Sequence, residues 1–203
     1  TNQTWLFDGL DWSRATPAVS PPPRAGHPLA YDVARGKVLL FGGIGVGTGV
    51  LADTWTWDGV NWTQMTPTLV PPARRSHPLV YHPGRATCVL HGGAPASGTL
   101  TDTWEWNGID CAQIVTANYP TPVRYASDMA YDPVGNGLVL FSGYPGAVSD
   151  TWYFDNTDWV LRTTTTSPPG RWDHTMATAP VRNRVVLFGG TPRTTPFGDT
   201  WEF

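Results

Sequence analysis

Asp53-Thr54-Trp55-Thr56-Trp57 alternates threonine with tryptophan, and Asp58-Gly59 and Asn61-Trp62-Thr63-Gln64 follow it closely. Alternation at period two puts Trp55 and Trp57 on one face of a strand and Thr54 and Thr56 on the other. Asp-Gly is hairpin chemistry, because glycine accepts a positive φ at no steric cost, so the two segments read as antiparallel neighbours. Upstream, Leu29-Ala30-Tyr31 and Lys37–Phe41 read as two more strands joined by turn residues, with Gly42-Gly43 ending the second. Downstream, Pro67 to Pro72 carries the chain onward without room for a helix.

The pattern recurs along the whole chain. Thr-Trp stands at Thr4-Trp5, Thr54-Trp55, Thr103-Trp104, Thr151-Trp152 and Thr200-Trp201, so successive tryptophans lie 50, 49, 48 and 49 residues apart. Gly-Gly keeps the same phase at Gly42-Gly43, Gly92-Gly93 and Gly189-Gly190, with Ser142-Gly143 in the third unit, and an arginine recurs at Arg24, Arg74, Arg124 and Arg171. Four strands in a repeat of about 49 residues is the arithmetic of a propeller blade. With the strands of a unit labelled a to d, residues 1–16 supply c and d. Residues 24–66, 74–115 and 124–163 supply complete blades, and residues 171–203 supply a, b and c. The expectation is one all-β domain over residues 1–203, a four-bladed propeller closed by pairing of its N- and C-terminal strands. The strand carrying Trp12 would complete the last blade. One c strand is then redundant, and Thr4–Phe7 is the degenerate copy, because Gln3 stands where Asp53, Asp102, Asp150 and Asp199 stand. The competing arrangement is a segment of a longer array, or a larger ring built by two chains.

Arg-x-x-His, Tyr-Asp, Leu-Phe-Gly-Gly, Asp-Thr-Trp-x-x-Asp and a spaced tryptophan, in that order, resemble the kelch-repeat β-propeller family, and the resemblance covers essentially the whole chain. It implies the propeller fold. It leaves function open, because kelch propellers serve as binding modules, scaffolds and a few enzymes. A relative resembling galactose oxidase would need a copper site with a crosslinked Tyr–Cys pair, and no residues here match it; the resemblance implies no cofactor.

With 22 Gly, 20 Pro and 11 Trp in 203 residues and only 14% charged residues, the composition excludes a helical bundle. A formal charge of −3 provides no basic stripe for phosphates, so neither nucleic acid nor an anionic membrane surface is an expected partner. The longest strongly apolar run, Val38–Phe41, is far short of the roughly 20 residues of a spanning helix. Thr1-Asn2-Gln3 lacks a signal-peptide layout, so the chain reads as a soluble mature domain or a trimmed piece. Low charge with abundant Thr, Pro and Gly resembles secreted or cell-surface β-proteins, and an extracellular setting is expected. Asn2-Gln3-Thr4 and Asn61-Trp62-Thr63 fit the N-glycosylation pattern. Cys88 begins a strand b and Cys111 replaces the strand-d tryptophan of the same blade. With strand c between them they should lie roughly 9–10 Å apart and stay free thiols.

His27, His77 and His174 occupy equivalent places and read as hydrogen-bonded blade residues; no metal site is expected. Arg24, Arg74, Arg124 and Arg171 match the four motif aspartates in number and read as structural pairs, the alternative being that they line the channel mouth and bind a carboxylate. Trp55, Trp57, Trp104 and Trp106 read as core. Aromatics outside the motif are more telling. Tyr119, Tyr125, Tyr144 and Trp172 fall in or beside loops, where an exposed planar cluster would suit a peptide or a glycan. Departures from the repeat gather at Cys88, His91, Cys111, Ser127, Asp128, Ser142 and Tyr144, yet no nucleophile, base and orienting group assemble from them. The expected function is therefore a non-catalytic scaffold for a protein or peptide. The alternatives are a glycan-binding or carbohydrate-active domain, and an architectural segment or assembly subunit of a larger surface protein. A monomer is expected, with a strand-exchanged oligomer as the alternative.

Overall fold

The computed structural model describes all residues, Thr1–Phe203, and contains strands but no helix. β1 (Thr4–Phe7) and β2 (Trp12–Ala15) form a hairpin. The first blade holds β3 (Arg24–Ala25), β4 (Leu29–Asp32), β5 (Lys37–Gly45), β6 (Gly49–Trp57) and β7 (Trp62–Met65). The second holds β8 (Leu79–His82), β9 (Thr87–His91), β10 (Thr103–Trp106) and β11 (Cys111–Ile114). The third holds β12 (Asp128–Asp132), β13 (Gly137–Phe141), β14 (Thr151–Phe154) and β15 (Trp159–Arg162). The fourth holds β16 (Thr175–Ala179), β17 (Arg184–Phe188) and β18 (Thr200–Glu202). Each blade is an antiparallel meander in chain order, except that in the first both β3 and β4 pair with β5. The innermost strands pack in sequence, β4 on β8, β8 on β12 and β12 on β16, and all four line one central cavity of about 600 Å³. The molecule is a four-bladed β-propeller.

The predicted alternation is visible in the register. Leu40 pairs with Trp55 and Val38 with Trp57, and Trp57 lies opposite Trp62 with ring centroids 5.5 Å apart. The threonine face is covered as well, since Thr54 and Thr56 are buried. Both faces need cover because the core lies in the seams between blades. Ala30, Leu39 and Phe41 of the first blade join Leu79, Leu90, Trp104 and Trp106 of the second in one cluster. Val89 of the second joins Met129, Leu138 and Phe154 of the third in another.

The Gly-Gly step serves these seams. Gly42 has φ +62°, and a Cβ there would come within 2.6 Å of the Arg74 carbonyl of the next blade, while Gly43 N–H donates to that carbonyl at 2.9 Å. In the third blade Ser142 keeps the left-handed backbone at φ 48°, and its hydroxyl accepts from Arg171 N–H at 2.8 Å. Gly143 N–H still donates to the Arg171 carbonyl at 3.0 Å, so that departure from the repeat keeps the link to the next blade and adds a second hydrogen bond to it.

The predicted closure is not formed. β1 and β2 make a two-stranded sheet of their own, and the fourth blade ends with three strands, so β2 does not pair with β18. The physical reason is local. The Asp8 carboxylate accepts from the N–H groups of Leu10 and Asp11, fixing a tight turn that pairs Thr4 with Ala15 and Phe7 with Trp12. Pairing across a short turn costs far less loop-closure entropy than pairing the two ends of the chain. The hairpin is then docked on the first blade, where the Trp62 indole donates to Thr4 Oγ1 at 2.8 Å. As a result Trp5 and Trp12 are 50% and 61% exposed, and Trp201 is half-buried, whereas Trp55, Trp104 and Trp152 are buried as expected. Cys88 and Cys111 are free and buried; both lie opposite Trp106, from either side, so a strand separates them as the spacing implied.

Candidate functional site

The four repeat arginines sit at the blade rims with their donors committed. Arg74 donates Nε–H to Pro72 O at 3.0 Å, one terminal nitrogen to Gly92 O at 2.8 Å and to Asp102, and the other to Asp102 at 2.7 Å. Arg24, Arg124 and Arg171 repeat this with Asp53, Asp150 and Asp199. Each carboxylate also takes the indole N–H of the tryptophan two residues on, as Trp104 does at 2.7 Å. Burial pushes the Asp53 and Asp102 carboxyls up, but the arginine and indole hydrogen bonds outweigh it and hold both below the usual range. At the more open Asp199 the Arg171 hydrogen bond holds the carboxyl far below that range. Guanidinium groups bound in this bidentate way have little left for an incoming carboxylate.

The cavity mouth is polar. Gly26, Ser76, Ala126 and Asp173 ring it through three backbone rungs: Ser76 N–H to Gly26 O, Ala126 N–H to Ser76 O, and Asp173 N–H to Ala126 O. His27, His77 and His174 also come to this mouth, but they are not hydrogen-bonded as expected. Both ring nitrogens of His77 and His174, and Nδ1 of His27, are buried without a protein partner. His77 and His174 are instead held by apolar edge contacts, on Phe41 at 5.7 Å and Phe141 at 5.8 Å. Burial, reinforced by the nearby arginines, lowers His77 to about 3 and His174 to about 4, so both are neutral at ordinary pH. Asp128 replaces the proline of the first two blades here. Burial raises its carboxyl to about 6, although it accepts from Met176 N–H at 2.6 Å and Met129 N–H at 2.8 Å. No group of three or more His, Cys, Asp or Glu side chains is placed to hold a metal ion.

The loop aromatics form the most distinctive arrangement. Tyr125 and Tyr144 face each other across an isolated β-bridge, with ring centroids 5.1 Å apart at 56°. Trp172 meets Tyr144 edge to face at 5.1 Å and 84°. Three of the four aromatics singled out from the sequence thus lie together, while Tyr119 stands apart, exposed on the linker between β11 and β12. The corresponding pairs in the other blades are Ala25 with Ile44, Arg75 with Ala94 and Trp172 with Thr191. The fold therefore does not need rings at this position. Beside the cluster, Tyr144, Pro145, Gly146, Ala147, Trp172, Pro192 and Arg193 line a groove of about 500 Å³. Pro145, Pro192 and Arg193 were not singled out from the sequence. The available signal was a proline and a lone cation in the b-to-c loops, at the phase already marked by Tyr144. The Arg193 guanidinium has no carboxylate partner within the chain.

This geometry defines a propeller that presents one aromatic, partly cationic groove at the rim of its third and fourth blades. No protein-family model matches the chain, and no curated protein matches it either.

Proposed function

We propose that the chain is a non-catalytic, kelch-type scaffold that holds a protein or peptide segment in the groove formed by Tyr144, Trp172 and Arg193. The observation carrying this reading is the Tyr125–Tyr144–Trp172 cluster, three half-exposed rings in contact at a place where the first two blades have Ala25 with Ile44 and Arg75 with Ala94. Rings tilted at 56° and 84° make walls and notches, and no broad flat platform. Notches between aromatic walls suit the side chains of an extended peptide, whereas a pyranose stacks best on one open face. Prolines on the rim stiffen the groove and lower the ordering cost of binding. The four-fold recurrence of the Arg–Asp–Trp constellation supports the kelch reading. Composition supports an extracellular setting.

The test is selection of a displayed random-peptide library on the intact chain, with a glycan array in parallel. Selected peptides should lose at least ten-fold in affinity with Tyr144→Ala and with Trp172→Ala, and change little with Tyr119→Ala. Glycan binding that survives in the absence of any selected peptide would replace this reading with the carbohydrate one.

A further inference from the structure

The central cavity holds a charge that the chain does not answer. Asp128 lines both the cavity and its mouth, and no lysine or arginine side chain lines either. Its carboxylate takes neutral donors, the N–H groups of Met129 and Met176, and forms no ion pair. Asp173, exposed at the same mouth, is unpaired too. The charges of Arg74 and Arg171 reach His77 and His174, but Asp102 and Asp199 already neutralise both guanidinium groups. His27, His77 and His174 add no positive charge, because burial lowers all three. Burial without a cation is why the Asp128 carboxyl rises to about 6.

The fold does not require an acid here. Pro28, Pro78 and Thr175 hold the same place in the other blades. Further in, the walls turn apolar, with Leu29, Leu79, Met129 and Met176, and then Tyr81 and Tyr131. Tyr131 lies three residues beyond Asp128 on β12, about 10 Å away at the usual strand rise. The volume of about 600 Å³ is within the range of small-molecule sites. No group of three or more His, Cys, Asp or Glu side chains is placed to hold a metal ion, so the cation that suits this cavity is organic.

We propose that the central cavity binds a small organic amine, its ammonium group held by Asp128 at the mouth and its apolar body lying between the methionines and tyrosines. An ionised carboxylate accepts about four hydrogen bonds, so Met129 and Met176 leave room on it for the ammonium N–H groups. Asp173 adds attraction at the entrance. Bound charge offsets the cost of keeping the Asp128 carboxylate ionised in this partly buried place. The site shares no lining residue with the rim groove, so it stands independently of peptide binding there.

The experiment is calorimetric titration of the intact chain at neutral pH with three probes of similar size: phenethylamine, phenethyl alcohol and hydrocinnamate. The amine should bind one to one and roughly ten-fold or more tighter than the alcohol, and the acid should not bind. Asp128→Asn, which keeps the shape and removes the charge, should abolish the preference for the amine. Ala177→Phe should block binding without touching the carboxylate, since Ala177 is exposed on β16 and lines the cavity; it decides the matter if Asp128→Asn fails to fold. Tyr144→Ala and Trp172→Ala should leave amine binding unchanged. Absence of amine binding overturns the proposal, as does equal binding of the alcohol or full affinity in Ala177→Phe. Loss of amine binding in Tyr144→Ala or Trp172→Ala would place the amine in the rim groove and overturn it as well.

Discussion

At the residue scale, one substitution explains an otherwise unaccountable buried hydroxyl. Trp62 reaches Thr4 and Trp159 reaches Thr103, but the second blade carries Cys111 where that tryptophan would stand, and Thr54 Oγ1 is left buried without a partner. Thr54→Val should therefore be neutral or stabilising by up to about 1 kcal/mol, since it removes an unsatisfied group. Thr103→Val strips partners from both the Trp159 indole and His91 Nδ1 and should cost about 1–3 kcal/mol. Denaturant melts of the two variants check this, and equal losses would contradict it. Trp104 is buried in the first inter-blade cluster, and Trp104→Ala should cost about 3–5 kcal/mol; a loss under about 1 kcal/mol would mean that its face is not core.

At the scale of elements, strands and blades were legible because side-chain alternation and a repeated turn are both local signals. Asp53–Trp57 and Lys37–Phe41 fall inside β6 and β5, and the Arg–Asp pairs followed from equal counts at a common phase. What could not be read was the environment of the histidines. Their spacing gave them equivalent places in their blades, but only the fold brings them to the cavity mouth and shows His77 and His174 packed on Phe41 and Phe141 without polar partners. Their seams should be acid-sensitive. The folded values of His77 and His91, about 3, and of His174, about 4, lie below the unfolded 6.5. The unfolded chain therefore binds more protons between those limits. The stability these imidazoles contribute is complete above 6.5 and is lost as pH falls toward 4, by up to about 1.4 kcal/mol per pH unit for each imidazole. Asp128, raised to about 6, acts in the opposite sense between its unfolded value and 6, but it is one group against three. The melting temperature should fall between pH 7 and pH 5, and a flat or rising profile would contradict the buried neutral state.

At the scale of the whole molecule, the number of blades was written in the repeat, whereas the fate of the ends was not. The sequence contains two partners for β2, namely β1 and β18, and its signals conflict: the motif favours β18, which follows Asp199 where β1 follows Gln3, while the short separation favours β1. The turn at Asp8 decides for β1. The groove is intermediate. Tyr125, Tyr144 and Trp172 stood out as breaks in the repeat, but their convergence depends on two β-bridges in adjacent blades. Whether this rim is where the molecule binds is tested most directly by hydroxyl-radical footprinting of the intact chain with and without a selected peptide. The account predicts protection at Tyr144, Trp172 and Pro192, with Tyr119 and Tyr31 unchanged. Protection confined to the central cavity at Tyr31, Tyr81 and Tyr131, with Tyr144 and Trp172 as reactive as before, would contradict it.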